Sequence, residues 1–192
     1  MAKIYCLYDD YYGDNDARDL THRVKDNDTN AIYTMAKDLS KLIHGDCVLI
    51  PVPNRIGKAI ATLLLAQWII EFARDIRKLQ LKLESILIGR ERPSLYHSKK
   101  EGKRMAESDL GFRLSSSAPE GKKIYLVDSV LASGLTASAA LRLVPSADVL
   151  VHSIDKKALS ESVHRNTFSE VICGIHKEQL SKRQKQKLRN RI

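Results

Sequence analysis

Residues 124–136, Ile-Tyr-Leu-Val-Asp-Ser-Val-Leu-Ala-Ser-Gly-Leu-Thr, decide the fold of this chain. Four apolar residues lead into Asp128, a short turn follows, and an alanine-rich helical segment begins after the Ser-Gly-Leu-Thr sequence at 133–136. Helix N-termini leave backbone N–H groups unpaired, so this loop could hold a phosphate. Asp128 could accept hydrogen bonds from hydroxyl groups of the same ligand. The stretch therefore indicates a sugar-phosphate site, or else an ordinary strand-turn-helix connection in which small residues only permit tight packing.

Strand and helix patterns alternate along the chain and predict an α/β protein with a mostly parallel sheet and helices on both faces. The predicted strands are 3–8, 46–52, 85–89, 110–114, 123–127, 148–154 and 170–175. The predicted helices are 29–43, 56–74 and 136–143. We expect an N-terminal appendage or hood at 1–28, one domain at 29–176, and a basic helix or tail at 177–192.

The composition is that of a globular protein with room for one sizeable core, at 192 residues and 43% hydrophobic content. The longest apolar run, 59–70, is too short to span a bilayer, and the first residues lack the apolar core of a secretion signal. Cys6, Cys47 and Cys173 have no paired spacing, which argues against a disulfide framework or a zinc site. We therefore expect a cytoplasmic protein without membrane contact.

The formal net charge of +9 suits either a polyanionic small molecule or nucleic acid. Basic residues are concentrated at 90–104 and at 182–191, whereas the first twenty residues are acidic. A partner that carries phosphate groups is the common expectation.

A second strand-loop-helix pattern occurs at 48–58, Val-Leu-Ile-Pro-Val-Pro-Asn-Arg-Ile-Gly-Lys. Asn54, Arg55, Gly57 and Lys58 would offer donors at a helix N-terminus, which is a favourable place for an anion. The upstream glycine and the following Ser or Thr of a nucleotide-binding P-loop are missing, so that motif is excluded. A proline-rich turn with solvated cations is the alternative.

A long basic segment at 90–104 follows the predicted strand 85–89. Long loops inside a compact domain are usually functional or disordered. Cations on such a segment could close over a pyrophosphate and stabilise its charge as it leaves.

These three segments, in this order, resemble the motifs of type I phosphoribosyltransferases. The Pro-Val-Pro loop and the rhythm of basic residues are similar to those of the ComF-like branch. Asp128 matches the first of two adjacent acids in the family's ribose-phosphate motif, and Ser129 stands where the family usually has the second. A serine can still bind a ribose hydroxyl, but it contributes no negative charge.

The resemblance implies a single-domain phosphoribosyltransferase-type fold and a transferase that uses phosphoribosyl diphosphate. Magnesium would be bound through the donor, with Asp128 as the one possible direct ligand. Pyrophosphate would leave as a nitrogenous acceptor arrives, and Tyr11 and Tyr12 are candidates for the acceptor hood. The family's roles would fall on Asp128, Ser129, Arg92 and Arg104 in catalysis, on Ala132, Ser133, Gly134, Leu135 and Thr136 at the 5′-phosphate, and on Pro53, Asn54, Arg55, Lys58 and Arg90 at the pyrophosphate.

Two other hypotheses remain open at the level of sequence. The missing acid at 129 and the basic tail fit a catalytically degenerate relative. It would act through single-stranded DNA, bound by the basic segment at 90–104 and the tail, or through protein partners. A related enzyme could instead use another phosphosugar or a nucleotide in the same crevice. A homodimer is compatible with each of these hypotheses.

Overall fold

A parallel sheet forms the centre of the protein in a computed structural model that describes residues 1–93, 98, 100–103 and 105–174. The strands of the described residues are β1 (Ala2–Cys6), β2 (Cys47–Pro51), β3 (Leu81–Leu83), β4 (Leu87–Ile88), β5 (Arg113–Leu114), β6 (Lys123–Leu131), β7 (Asp148–Ile154) and β8 (Phe168–Cys173). Six of them form the sheet in the spatial order β3-β2-β6-β7-β1-β8, and every pairing in it is parallel. The remaining two, β4 and β5, form a separate antiparallel pair.

Helices cover both faces of this sheet. They are α1 (Asn15–Lys25), α2 (Thr29–Leu39), α3 (Ile60–Arg77), α4 (Leu135–Leu143) and α5 (Lys156–Ser160). Ile32 of α2 and Leu65 of α3 pack with Leu49 in one hydrophobic core, while Ala140 of α4 packs with Val151 in the other. The predicted α/β class, with a mostly parallel sheet between two helical layers, is confirmed.

The central strands β2, β6 and β7 are buried on both faces of the sheet, which explains their continuous apolar sequences. Every residue of β2 and β7 is buried, and so is β6 from Ile124 to Val127. Strands covered on both faces appear in sequence as continuous apolar runs rather than as alternating patterns.

β6 is longer than the sequence predicts, because it continues past 127 to Leu131. Asp128 still pairs with Val151 of β7, and Leu131 pairs with Ile154. Asp128 therefore lies within a strand, and the connecting loop begins only at Ala132.

The region after α3 also differs from the prediction. β3, which the sequence analysis missed, occupies the sheet edge beside β2. The predicted strand 85–89 is reduced to β4, which lies outside the six-stranded sheet, and Leu87 of β4 packs into the core on the α4 side. Only 113–114 of the predicted strand 110–114 is extended, and it pairs with β4.

The N-terminal residues are part of the domain, contrary to the predicted appendage at 1–28. β1 lies inside the sheet between β7 and β8, and α1 packs beside α2. Asp14 caps α1 by accepting a hydrogen bond from the Ala17 backbone N–H at 2.9 Å. The predicted helix 29–43 ends at Leu39 and continues as a 3-10 turn, Ser40–Leu42. The predicted tail at 177–192 lies outside the described residues.

Within the part of the chain that the structure describes, none of the helices combines the length and the apolar character needed to cross a bilayer.

Candidate functional site

The order in which strands are added to the sheet reverses between β2 and β6, because the chain continues from β2 to β3 on one side and from β6 to β7 on the other. These strands are neighbours, yet α3 follows β2 onto one face and α4 follows β6 onto the other. In doubly wound sheets, ligands bind in the crevice at the carboxyl ends of two such strands. The proline loop after β2 and the loop 132–134 after β6 flank this point, so the fold brings the two predicted anion-binding loops together.

Asp128 provides the carboxylate beside this crevice. Its surroundings are largely buried, and the loss of hydration raises the pKa of the carboxyl group from about 3.8 to about 6. The Ser129 backbone N–H donates a hydrogen bond to Asp128 Oδ1 at 2.7 Å and opposes this shift, as do the charges of Lys25 and Arg92. Near neutral pH the group is an ionised acceptor that the protein only partly compensates.

Ser129 is buried and contacts its neighbour Asp128. It is only 4% exposed, and its hydroxyl also hydrogen-bonds the Asp128 carboxylate. In this structure the serine therefore holds its neighbour in place, and its predicted contact with the ribose stays a prediction.

Two cations, Lys25 and Arg92, lie close enough to Asp128 to lower the pKa of its carboxyl group. Burial lowers the pKa of both Lys25 and Arg92, while Asp128 acts in the opposite direction on each. Arg92 was predicted for the site, but Lys25 was not. Lys25 comes from the last turn of α1, in the segment that the sequence assigned to an appendage.

Arg92 is fixed by its backbone and leaves part of its side chain unsatisfied. Its backbone N–H donates to the Arg55 carbonyl at 2.9 Å, which ties the start of the basic segment to the proline loop. Its Nε atom is buried and has no hydrogen-bond partner among the described residues. A buried guanidinium N–H without a partner is costly, so a ligand that accepts from it would relieve that cost.

The loop after β6 enters α4 through a glycine in the left-handed region of backbone conformation. Gly134 precedes α4 with φ of +80°, and no side chain caps the helix. A Cβ on Gly134 would lie 3.0 Å from the Phe168 ring and 3.1 Å from Leu159 Cδ1, so a larger residue would add tight contacts to the strain of the positive φ. Ala132, Ser133 and Thr136 are partly exposed, whereas Leu135 is buried and offers only its backbone.

The proline loop closes on itself before α3 begins. Asn54 accepts hydrogen bonds from the backbone N–H groups of Ile56 and Gly57, and its own N–H donates to the Lys58 carbonyl. The helix therefore starts at Ile60 rather than at 56, because this local turn competes with the first helical turn. Pro53 is buried, while Arg55 and Lys58 are exposed.

Gly57 joins the proline loop to the basic segment. Its φ is +78°, and an added Cβ would lie 2.6 Å from the Gly89 carbonyl oxygen. The Gly89 N–H donates back to the Gly57 carbonyl at 3.0 Å. Two loops that are distant in sequence are thus held in backbone contact.

Arg90, a predicted pyrophosphate ligand, contacts the protein itself. Its Nε donates to the Asp109 carbonyl at 2.9 Å, and its side chain lies against Gly111. Arg90 therefore ties its segment to the 3-10 turn Glu107–Leu110. Its contact with pyrophosphate stays a prediction, and Arg104 lies outside the described residues.

Glu107 anchors the far end of the basic segment, and sequence analysis did not identify it. The Ser138 hydroxyl donates to it at 2.6 Å, His164 Nδ1 lies 3.1 Å away, and Arg142 forms an ion pair with it. Because Ser138 and Arg142 belong to α4, this carboxylate connects the basic segment to the helix that follows the phosphate loop.

The structure places the two residues of the predicted acceptor hood differently. Tyr11 is 5% exposed and packs against Tyr12, so its ring cannot stack on an incoming base. Tyr12 is 57% exposed and stays a candidate.

The described residues do not fit a magnesium site made by the protein alone. Among them there is no group of three or more His, Cys, Asp or Glu side chains that could hold a metal ion. Asp128 is a single carboxylate that faces the positive charges of Lys25 and Arg92, an arrangement that disfavours a divalent cation.

Comparison with known proteins gives a consistent but weak likeness. No family model matches the chain, and no curated protein matches it. One solved structure that resembles it is an allosteric regulatory enzyme of purine biosynthesis, with 20% identity over 66% of this chain and a TM-score of 0.36. The chain spans only about a quarter, 26%, of that enzyme's length.

Two other similar structures are adenine phosphoribosyltransferases. The Saccharomyces cerevisiae enzyme, complexed with an imino-altritol bisphosphate and adenine, is 14% identical over 77% of this chain and 78% of its own, with a TM-score of 0.37. The Leishmania donovani enzyme is 18% identical over 77% of this chain and 64% of its own, with a TM-score of 0.38. At these values the likeness does not establish a shared activity.

Proposed function

We propose that the protein binds phosphoribosyl diphosphate at the crevice between β2 and β6 and transfers its phosphoribosyl group to a nitrogenous acceptor. The observation that supports this most is the convergence, at the point where the sheet changes direction, of two anion-binding loops and one carboxylate flanked by two cations. A donor with phosphate at one end, a diol in the middle and pyrophosphate at the other matches that arrangement. The motif order of the ComF-like branch supports the same assignment.

The donor's parts are assigned by chemistry. Asp128 accepts hydrogen bonds from the ribose hydroxyls, and the backbone N–H groups after Ala132 bind the 5′-phosphate. Arg55 and Lys58 bind the pyrophosphate, and the unsatisfied Nε of Arg92 donates to it. Arg90 is assigned to the pyrophosphate as well, and Arg104 is assigned to catalysis.

In the transfer step, the bond between the ribose C1 and the pyrophosphate oxygen breaks, and the acceptor nitrogen forms the new bond to C1. Positive charge develops on the ribose as negative charge moves to the leaving pyrophosphate. The ionised Asp128 lies on the ribose side, and the cations lie on the pyrophosphate side, so the site is complementary to both.

Magnesium enters the proposal only as an ion carried by the donor. It would neutralise pyrophosphate charge when bound, but we assign no step to it. Lys25 and Arg92 supply positive charge near Asp128.

Pyrophosphate release tests the transfer. The protein is mixed with the donor and a panel of nitrogenous bases, and pyrophosphate is measured for the wild type and for Asp128→Asn. We expect acceptor-dependent release that the variant loses. Donor binding without release for any acceptor would contradict transfer and leave a binding protein.

A second candidate is a degenerate relative that binds single-stranded nucleic acid. It is favoured by Ser129, which is buried against Asp128 and leaves one acid among several cations. Phosphate-driven binding should weaken steeply between 50 and 200 mM salt, by about tenfold for each few phosphate contacts. Absence of binding to single-stranded DNA at low salt would remove this candidate.

A further inference from the structure

Two cysteines that are far apart in sequence are neighbours in the sheet. Cys6 ends β1 and Cys173 ends β8, and the two residues are register partners on these adjacent parallel strands. Adjacent strands lie about 4.8 Å apart, within the range of Cα separations that disulfides span, about 4.4 to 6.8 Å.

The two thiol groups face the same side of the sheet. Cys6 is fully buried in the core on the α4 side, and Cys173 packs against that core while remaining partly exposed. The Cys6 thiol hydrogen-bonds to Cys173, and Cys173 Sγ lies 3.1 Å from the Leu7 carbonyl oxygen. Neither residue is in a disulfide.

The backbone around the pair is fixed. The Gly174 N–H donates to the Cys6 carbonyl at 2.7 Å, directly after the register pair. Thiol contact is therefore built into the sheet and does not depend on a mobile side chain meeting a distant one.

We propose that Cys6 and Cys173 form a redox-responsive dithiol, which a small disulfide such as oxidised glutathione converts into a disulfide bond joining β1 to β8. This inference is independent of the proposed transferase activity. It assigns a modification site at the edge of the sheet opposite β3.

The reaction balances by two exchanges. The Cys173 thiolate, on the accessible side, attacks one sulfur of the small disulfide; its S–S bond breaks, and one thiol leaves. The Cys6 thiolate then attacks the Cys173 sulfur of the mixed disulfide, and the second thiol leaves. Each cysteine loses one proton, the protein pair is oxidised by two electrons, and the small disulfide is reduced to two thiols.

The surroundings set the rate of this exchange. The bond to Cys173 and burial raise the pKa of the Cys6 thiol, whereas the Lys156 ammonium opposes that shift. Thiolates are the attacking species, so oxidation should be slow at pH 7 and faster at pH 8.5. Cys47 is buried in β2, separated from β1 by the two strands β6 and β7, and it has no such thiol partner among the described residues.

Peptide mapping provides the test. The full chain is incubated at pH 8.5 with oxidised glutathione, and the remaining thiols are alkylated. The protein is then digested, and the peptide masses are measured by mass spectrometry. We expect a peptide pair linked through Cys6 and Cys173 with the loss of two hydrogens, an alkylated Cys47, and a higher melting temperature that dithiothreitol reverses.

Two variants complete the test. Cys6→Ser should stop the reaction at a stable glutathione adduct on Cys173, and the Cys47→Ser control should oxidise like the wild type. The proposal is overturned if wild-type Cys173 keeps glutathione without forming the link, or if Cys47 reacts as fast as the pair. It is also overturned if the folded protein does not react while the unfolded chain does. Should Cys6→Ser fail to fold, Cys173→Ser, altered at the more exposed position, must likewise abolish the link.

Discussion

Asp128 carries a cost to stability that can be measured at the scale of this one residue. Its pKa is raised in the folded state to about 6, so ionisation is harder there than in the unfolded chain. The wild type should therefore lose stability as pH rises from about 4 to about 6, and the loss should persist above that range. The sign is opposite to that of a carboxylate held by a strong ion pair.

Asp128→Asn should be more stable than the wild type at pH 8, by about 1 to 3 kcal/mol, at about 1.4 kcal/mol per pKa unit. The difference should shrink towards pH 4. Urea unfolding at several pH values measures it.

Asp148→Asn is the matched control for that substitution. Asp148 accepts a hydrogen bond from the Lys3 backbone N–H at 2.7 Å and pairs with Lys123, so its loss should destabilise the protein. If Asp128→Asn, like Asp148→Asn, is less stable than the wild type at pH 8, then the ionised Asp128 carboxylate does not destabilise the fold and this account of it is wrong.

Lys25 offers a second test at this scale, because its role depends on its position beside Asp128. Lys25→Gln should weaken donor binding about tenfold, as expected for one charge-assisted contact worth about 1.4 kcal/mol. The loss of affinity should be larger in EDTA than in magnesium, because in EDTA no magnesium is available to compensate for the missing ammonium group. Titration calorimetry under both conditions measures it.

Lys37→Gln is the control for that charge change. Lys37 is an exposed lysine of α2, on a helix beside α1. The Lys37→Gln variant should bind the donor with the same affinity as the wild type. Equal affinities for all three proteins would contradict the assignment of Lys25 to the site.

At the scale of the elements, the connection from β6 to α4 is the decisive piece. Gly134 gives that connection its left-handed backbone and the space for Phe168 and Leu159. Gly134→Ala should cost about 2 to 4 kcal/mol, because it adds a steric clash to the backbone strain, and it should weaken donor binding through the displaced N–H groups.

Gly45→Ala separates these two causes. Gly45 has φ of +84°, but an added Cβ would meet no atom within 4 Å. It should show only the strain, about 1 kcal/mol. Chemical denaturation of both variants compares them, and a loss at Gly134 no greater than that at Gly45 would contradict the packing described around the loop.

At the scale of the whole molecule, local patterns predicted more than long-range positions. The strand, carboxylate and small-residue loop at 124–136 are contiguous, so the sequence revealed them together. Lys25 and Glu107 act through contacts with segments far away in the chain, and no local pattern distinguishes them from solvated charges.

Strand order had the same limit. The placement of β1 between β7 and β8 depends on pairing across the whole chain, which composition and periodicity do not encode. For that reason the sequence assigned residues 1–28 to an appendage and found no relation between Cys6 and Cys173. The homodimer stays a prediction, which light scattering can measure.

Titration calorimetry with phosphoribosyl diphosphate tests the central claim most directly. The wild type should bind one donor per chain with a dissociation constant below about 1 mM, equivalent to more than about 4 kcal/mol. Asp128→Asn should bind at least about tenfold more weakly while remaining folded. The claim would be contradicted by a folded wild type that shows no binding at millimolar donor, or by equal binding of the two proteins.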